Sequence, residues 1–170
     1  MNLLFDFDVN KETKTINITR EFAAGLDLVW DAFTKPEILA LWHAPKPFTL
    51  YTKEMNFSEG GRWLYTMISP GASIDSNSRY SMVEYLKINP KTYYSSRNTF
   101  TDENGNSTSS AFSITTNSFK EGDGKTTVYI EKKFEDLAVL EMMASNGFIE
   151  GTAAGFANLE EYLSTITTSK

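Results

Sequence analysis

Three residues in this sequence could do acid–base work from inside a fold: His43, Tyr65 and Glu84. His43 is the only histidine. An imidazole titrates near neutral pH and can act as a general base beside a cavity. One histidine cannot form a histidine-rich metal site, and no nucleophile completes a triad with it. Its plainer reading is an exposed corner residue filling an aromatic slot. Glu84 lies where Met82, Glu84, Leu86 and Ile88 alternate. If those apolar neighbours face a core, the carboxylate faces it too and must be paired or protonated. Arg97, Tyr94 or Tyr129 could partner it. The favoured alternative is that the strand twists and Glu84 reaches solvent at the rim, because unpaired buried carboxylates are rare. Asp102-Glu103-Asn104-Gly105-Asn106 has some of the ligand types of a calcium loop. It lacks the glycine after the third ligand position and the closing glutamate, so it reads as a hairpin turn. No Gly-x-Ser-x-Gly, His-Glu-x-x-His or phosphate-binding loop occurs, so no catalytic residue, metal or cofactor is assigned.

The chain that must position these residues has 170 of them, which suits one domain with a real core. Its 41% hydrophobic and 14% aromatic content is that of a globular protein. A net charge of −6 repels phosphate backbones, so nucleic acid is not an expected partner. The absence of cysteine removes disulfides and thiolate chemistry. Met1 to Asn10 carries Asp6 and Asp8 without a basic run, unlike a secretory signal. No apolar run approaches a membrane span. The expectation is a cytoplasmic protein, monomer or homodimer, with residues 1–12 as a tail and 13–168 as a single domain.

Ile16, Ile18 and Phe22 alternate with polar residues as in a half-buried strand. Leu26, Val29, Trp30 and Phe33 follow at helical spacing. Thr34-Lys35-Pro36-Glu37 has the spacing of a capping box, with Pro36 in the first turn of a second short helix that ends near Trp42. Strands are expected at 48–56, 61–68, 79–88, 93–101, 108–119 and 126–134. Asn104-Gly105 and Asp123-Gly124 are hairpin dipeptides, Asn89-Pro90 divides another pair, and Pro70–Ser78 reads as a polar, mobile loop. Such short links imply antiparallel neighbours. Asp136 can cap a helix over Leu137–Ser145, and Asn146-Gly147 stops it. From Phe148 to Ile166 the apolar steps are those of one helical stripe, about 30 Å long.

The order strand, two short helices, six strands, short helix, long helix resembles the α+β helix-grip fold of Bet v 1-like, START-type and polyketide-cyclase proteins (the SRPBCC superfamily). Within it, the chain resembles the family named after the activator of heat-shock-protein-90 ATPase. The resemblance rests on Val29-Trp30, Ala32, Thr34, Pro36-Glu37, Leu39 and Trp42-His43-Ala44-Pro45, then Gly60-Gly61-Arg62-Trp63-Leu64-Tyr65, then Gly147-Phe148 and Gly151. It departs at His43, where that family usually has a second tryptophan, and at Ala44, where glycine is usual.

The resemblance implies a curved sheet around the last helix, with an internal cavity for an apolar or lipid-like molecule. Trp42, Trp63, Tyr65, Met82, Glu84, Phe112, Phe148, Thr152 and Phe156 are the candidate ligand-binding residues. Strand parity is open by one residue, and a slip would exchange the inward and outward sets. The small residues Gly151 to Gly155 either leave a void or let helix and sheet approach closely. The resemblance also implies a chaperone as a second possible partner, although the name-giving proteins carry an additional N-terminal domain for which 170 residues leave no room. A cyclase- or hydratase-type enzyme using His43, Glu84 or Tyr65 is the third reading.

Overall fold

The computed structural model describes residues 3–74 and 78–167. Residues 75–77 of the expected Pro70–Ser78 loop therefore lie outside the described residues. The chain runs β1 (Phe5–Asn10), β2 (Thr15–Phe22), α1 (Leu26–Thr34), α2 (Pro36–Trp42), β3 (Thr49–Met55), β4 (Arg62–Ile68), β5 (Tyr80–Asn89), β6 (Tyr93–Thr101), β7 (Ser107–Gly122), β8 (Lys125–Phe134), α3 (Leu137–Ser145) and α4 (Phe148–Thr167). The strands form one antiparallel sheet in the order β1-β2-β8-β7-β6-β5-β4-β3. It curves around α4, which makes the fold an α+β helix grip.

Turn chemistry sets the meander. Asp123 and Gly124 both take positive φ (55° and 73°), the conformation a two-residue hairpin loop needs to match strand twist. That tight turn lets β7 and β8 stay paired out to Gly122 and Lys125, beyond the expected ends. Just before β4, Gly60 N–H donates to the Tyr85 carbonyl and Tyr85 N–H donates to the Gly61 carbonyl, each at 2.9 Å. A Cβ at Gly61 would lie 2.2 Å from the Asn56 carbonyl oxygen, so only glycine fits this corner.

Two expectations need correction. The stretch expected as a tail contributes edge strand β1, because Phe5, Phe7 and Val9 alternate with Asp6 and Asp8, and the rings of Phe5 and Phe7 lie against α4. Phe7 meets Phe148 with centroids 6.2 Å apart, and Phe5 meets Phe156 at 6.0 Å. The capping box also fails. Thr34 is still inside α1, where its hydroxyl donates to the Trp30 carbonyl at 2.8 Å. A single residue separates the helices, so Lys35 becomes the extended N-cap of α2 and no side chain caps it. Asp136 does cap α3, accepting from the Ala138 N–H at 2.9 Å.

The main core lies on the concave face. Ile16, Ile18 and Phe22 of β2, Val128 and Phe134 of β8, and Val83 and Tyr85 of β5 face Val29, Trp30 and Phe33 of α1 and Phe156, Leu159 and Leu163 of α4. A second cluster of Leu64, Tyr80 and Met82 sits apart from it.

Candidate functional site

Between the concave sheet and α4 lies a pocket of about 590 Å³. Strands β4 to β8 form its wall, α3 and α4 cover it, and the end of α2 closes one side. The exposed side chains of Met67 and Met142 border it and mark its mouth.

One wall is an aromatic stack. Trp63 and Tyr65 stack at 4.1 Å with 24° between their planes. His43 meets them edge-on at 5.1 and 5.3 Å, and its Nε2 lies 3.2 Å from the Tyr65 hydroxyl. Trp63 Nε1 donates to Thr52 Oγ1 at 3.1 Å, which fixes the indole. The expected exposed corner is thus an inward-facing imidazole. α2 ends one residue before it, and the helical backbone at His43 turns the ring into the pocket rather than out. Burial pulls its pKa down to about 4, and the nearby Lys132 charge pulls the same way. Burial pushes the Tyr65 phenol up, partly offset by a hydrogen bond with Ser81.

The opposite wall carries a cation. Lys132 of β8 points inward and donates to Thr115 Oγ1 at 2.9 Å and Ser113 Oγ at 3.4 Å. The Thr115 hydroxyl in turn donates a hydrogen bond to Asn98 Oδ1 at 2.5 Å. The Lys132 ammonium stands 5.9 Å from the centre of the Phe148 ring. Burial lowers its pKa to about 8. No aspartate or glutamate is among the described residues that line the pocket.

Of the residues picked from sequence, Trp42, Trp63, Tyr65, Phe148, Thr152 and Phe156 come together around the pocket. Parity separates the other three. Trp63 pairs with Val83 and Tyr65 with Ser81, whereas Met82 pairs with Leu64 and Glu84 with Arg62. Met82 borders the pocket but packs with Leu64 and Tyr80, its sulfur 3.7 Å from Arg62 Nη1. Glu84 pairs with Arg97 at 3.4 Å, half-exposed on the outer face. Phe112 also borders the pocket, with the Arg97 guanidinium 4.5 Å from its ring centre. A strand with apolar residues on both faces carries no parity signal, so the slip was available to it. Sequence reasoning missed Lys132. Its signal is the alternation Val128, Ile130, Lys132, Phe134, which puts a lysine in an otherwise apolar inward row.

The small residues of α4 do both things expected of them. A Cβ at Gly151 would meet nothing within 4 Å, so that end opens the pocket. A Cβ at Gly155 would lie 3.3 and 3.5 Å from the Trp42 and His43 carbonyl oxygens, so that end seals α4 against α2. Asn158 Nδ2 reinforces the seal by donating to the Ala44 carbonyl at 3.1 Å.

The depressed His43 pKa fixes a sign. The folded state holds the imidazole neutral, so its stability is fully present above pH 6.5 and lost as pH falls through about 4. The full swing is on the order of 3 kcal/mol. Urea unfolding of the wild type and of His43→Gln between pH 7 and 4 measures it. The wild type should lose more stability than the variant, and parallel curves would mean His43 titrates normally.

No group of His, Asp or Glu among the described residues is arranged to hold a metal, and no described helix is long and apolar enough to cross a membrane.

The fold recurs in solved structures. A Mycobacterium smegmatis protein matches with a TM-score of 0.85 at 22% identity, covering 97% of this chain and 99% of its own. A Staphylococcus epidermidis protein matches with a TM-score of 0.79 at 26% identity, covering 92% and 93%. An AHSA1 protein from Silicibacter pomeroyi matches with a TM-score of 0.67 at 13% identity, covering 89% and 98%. No curated protein sequence matches the chain. Residues 23–164, from the end of β2 to the last turns of α4, match the family described as Activator of Hsp90 ATPase homolog 1-like protein, and the chain belongs to that family.

Proposed function

We propose that this protein binds a small, mainly apolar molecule in the pocket between the sheet and α4. The observation that carries the reading is the pocket itself. At about 590 Å³ it falls within the range of ligand sites. At about 30 Å³ per molecule it would otherwise hold roughly twenty waters against aromatic and aliphatic walls. Apolar surface left in water on that scale is costly, and a ligand removes the cost. Gly151 supports the same reading, since a helix interior gains from almost any residue other than glycine, yet here its missing side chain keeps the space open.

Native mass spectrometry of the protein as purified, followed by denaturing extraction, tests this. A near-stoichiometric apolar molecule is expected to leave with the protein. A clean apo mass, joined by no binding of apolar probes, would overturn the reading. If the chain then changed the ATPase rate of a heat-shock-protein-90-type chaperone, the family description would supply the replacement.

A further inference from the structure

The geometry points to a ligand with an anionic head, a carboxylate on an apolar body, whose head is held by Lys132. This deepens the binding reading above and rests on it. Of the described residues around the pocket, the only fixed cations are Lys132 and Arg79, and none is a carboxylate. Arg79 stands exposed at the mouth beside Phe100, its guanidinium 5.5 Å from that ring. The chain as a whole carries −6, so a pocket with this sign runs against the rest of the surface.

Among the described residues Lys132 has neighbours but no counter-charge. Thr115 and Ser113 accept two of its three N–H donors with neutral hydroxyls. Because the Thr115 hydroxyl donates its hydrogen bond to Asn98 Oδ1, its lone pairs are left for the ammonium before any ligand arrives. That is a preorganised cradle, with one donor left over for an incoming oxygen. A buried cation without a partner is unfavourable, and burial does lower the Lys132 pKa to about 8. A bound carboxylate would reverse that, forming a charge-assisted hydrogen bond in a dry site. Phe148, Phe134 and Ile130 then face the apolar body.

Matched probes separate head from body: decanoate and decan-1-ol, titrated calorimetrically into the full chain at pH 7. The wild type should bind decanoate at least tenfold more tightly than decan-1-ol. In Lys132→Met, decanoate should weaken at least tenfold while decan-1-ol holds, and Lys132→Arg should restore much of the preference. Lys132→Met should also raise the melting temperature of the apo protein, which a lysine serving only the fold would not do. Equal binding of the two probes by the wild type would overturn the inference and leave the apolar pocket standing. A decanoate preference that survives Lys132→Met would overturn it as well. Binding of neither probe would remove both readings. The wild-type comparison needs no variant and can overturn the inference even if Lys132→Met does not fold, while Lys132→Arg keeps the assignment to Lys132 testable.

Discussion

Replacing Phe156 by alanine is expected to cost the domain about 3–5 kcal/mol, the range for deleting a fully packed aromatic ring. Phe156 is 3% exposed. Its ring meets Phe22 at 5.5 Å, Phe5 and Trp42 at 6.0 Å and Phe33 at 6.5 Å. Those rings belong to β1, β2, α1 and α2, so one side chain of α4 ties four elements together. Each of these partners is anchored by its own strand or helix, so they cannot collapse into the gap. The new void would also lie beside an existing pocket, which argues for the upper half of the range. Urea denaturation should show a lower midpoint with an unchanged slope, since the surface exposed on unfolding hardly changes. A loss under about 1 kcal/mol would mean that the ring is dispensable and that α4 is seated elsewhere.

The second large effect is a contrast between two glycines one helical turn apart. Gly151→Leu should abolish binding of any molecule that occupies the pocket, because the new side chain grows into space with nothing within 4 Å of its Cβ. Stability should hold or rise by about 0.5–1 kcal/mol, the helix penalty of glycine being removed. Gly155→Leu should do the opposite. A Cβ added there would lie against two backbone carbonyls that cannot rotate away, and overpacking of that kind costs on the order of 3 kcal/mol. Thermal melts and probe titrations on the two variants decide it. If Gly151→Leu bound apolar probes as the wild type does, the pocket would not be the binding site. If both variants were equally destabilised, the division of α4 into an open end and a sealed end would fall.

Much of this arrangement could be read from the residues. Turn dipeptides and alternation located β2 to β8 to within a few positions, because Asp123-Gly124 and Asn104-Gly105 leave the backbone few alternatives, whereas β1 falls in the stretch expected as a tail. Asp136 and Asn146-Gly147 bracketed α3 for the same reason. Facing was harder. On β5 the inward residues are Ser81, Val83 and Tyr85, but Met82 is apolar too and is buried in a second cluster with Leu64 and Tyr80. Hydrophobicity alone cannot orient a strand that buries residues on both sides, and Glu84 went to the outer face while Met82 and Phe112 reach the pocket only at its border. Lys132 escaped for a different reason. A lysine on a strand is ordinarily solvent-exposed, and only its phase relative to Ile130 and Phe134 marks it as inward. His43 was noticed for its uniqueness, yet its partner Tyr65 became legible only once the register of β3, β4 and β5 was known.

The strand order has a consequence for how the molecule is made. β2 cannot complete its hydrogen bonds until β8 exists, for Ile18 pairs with Ile130, more than a hundred residues downstream. At roughly 5–20 residues per second of synthesis, a nascent chain waits on the order of 5–20 s with Ile16, Ile18 and Phe22 facing water. The β3–β8 meander can zip locally as it emerges, hairpin by hairpin. The slow event is the late capture of the first hairpin by the last strand, a long-range closure of the kind that sets folding times in the millisecond-to-second range. The two ends of the chain, β1–β2 and α4, therefore lock one another in place.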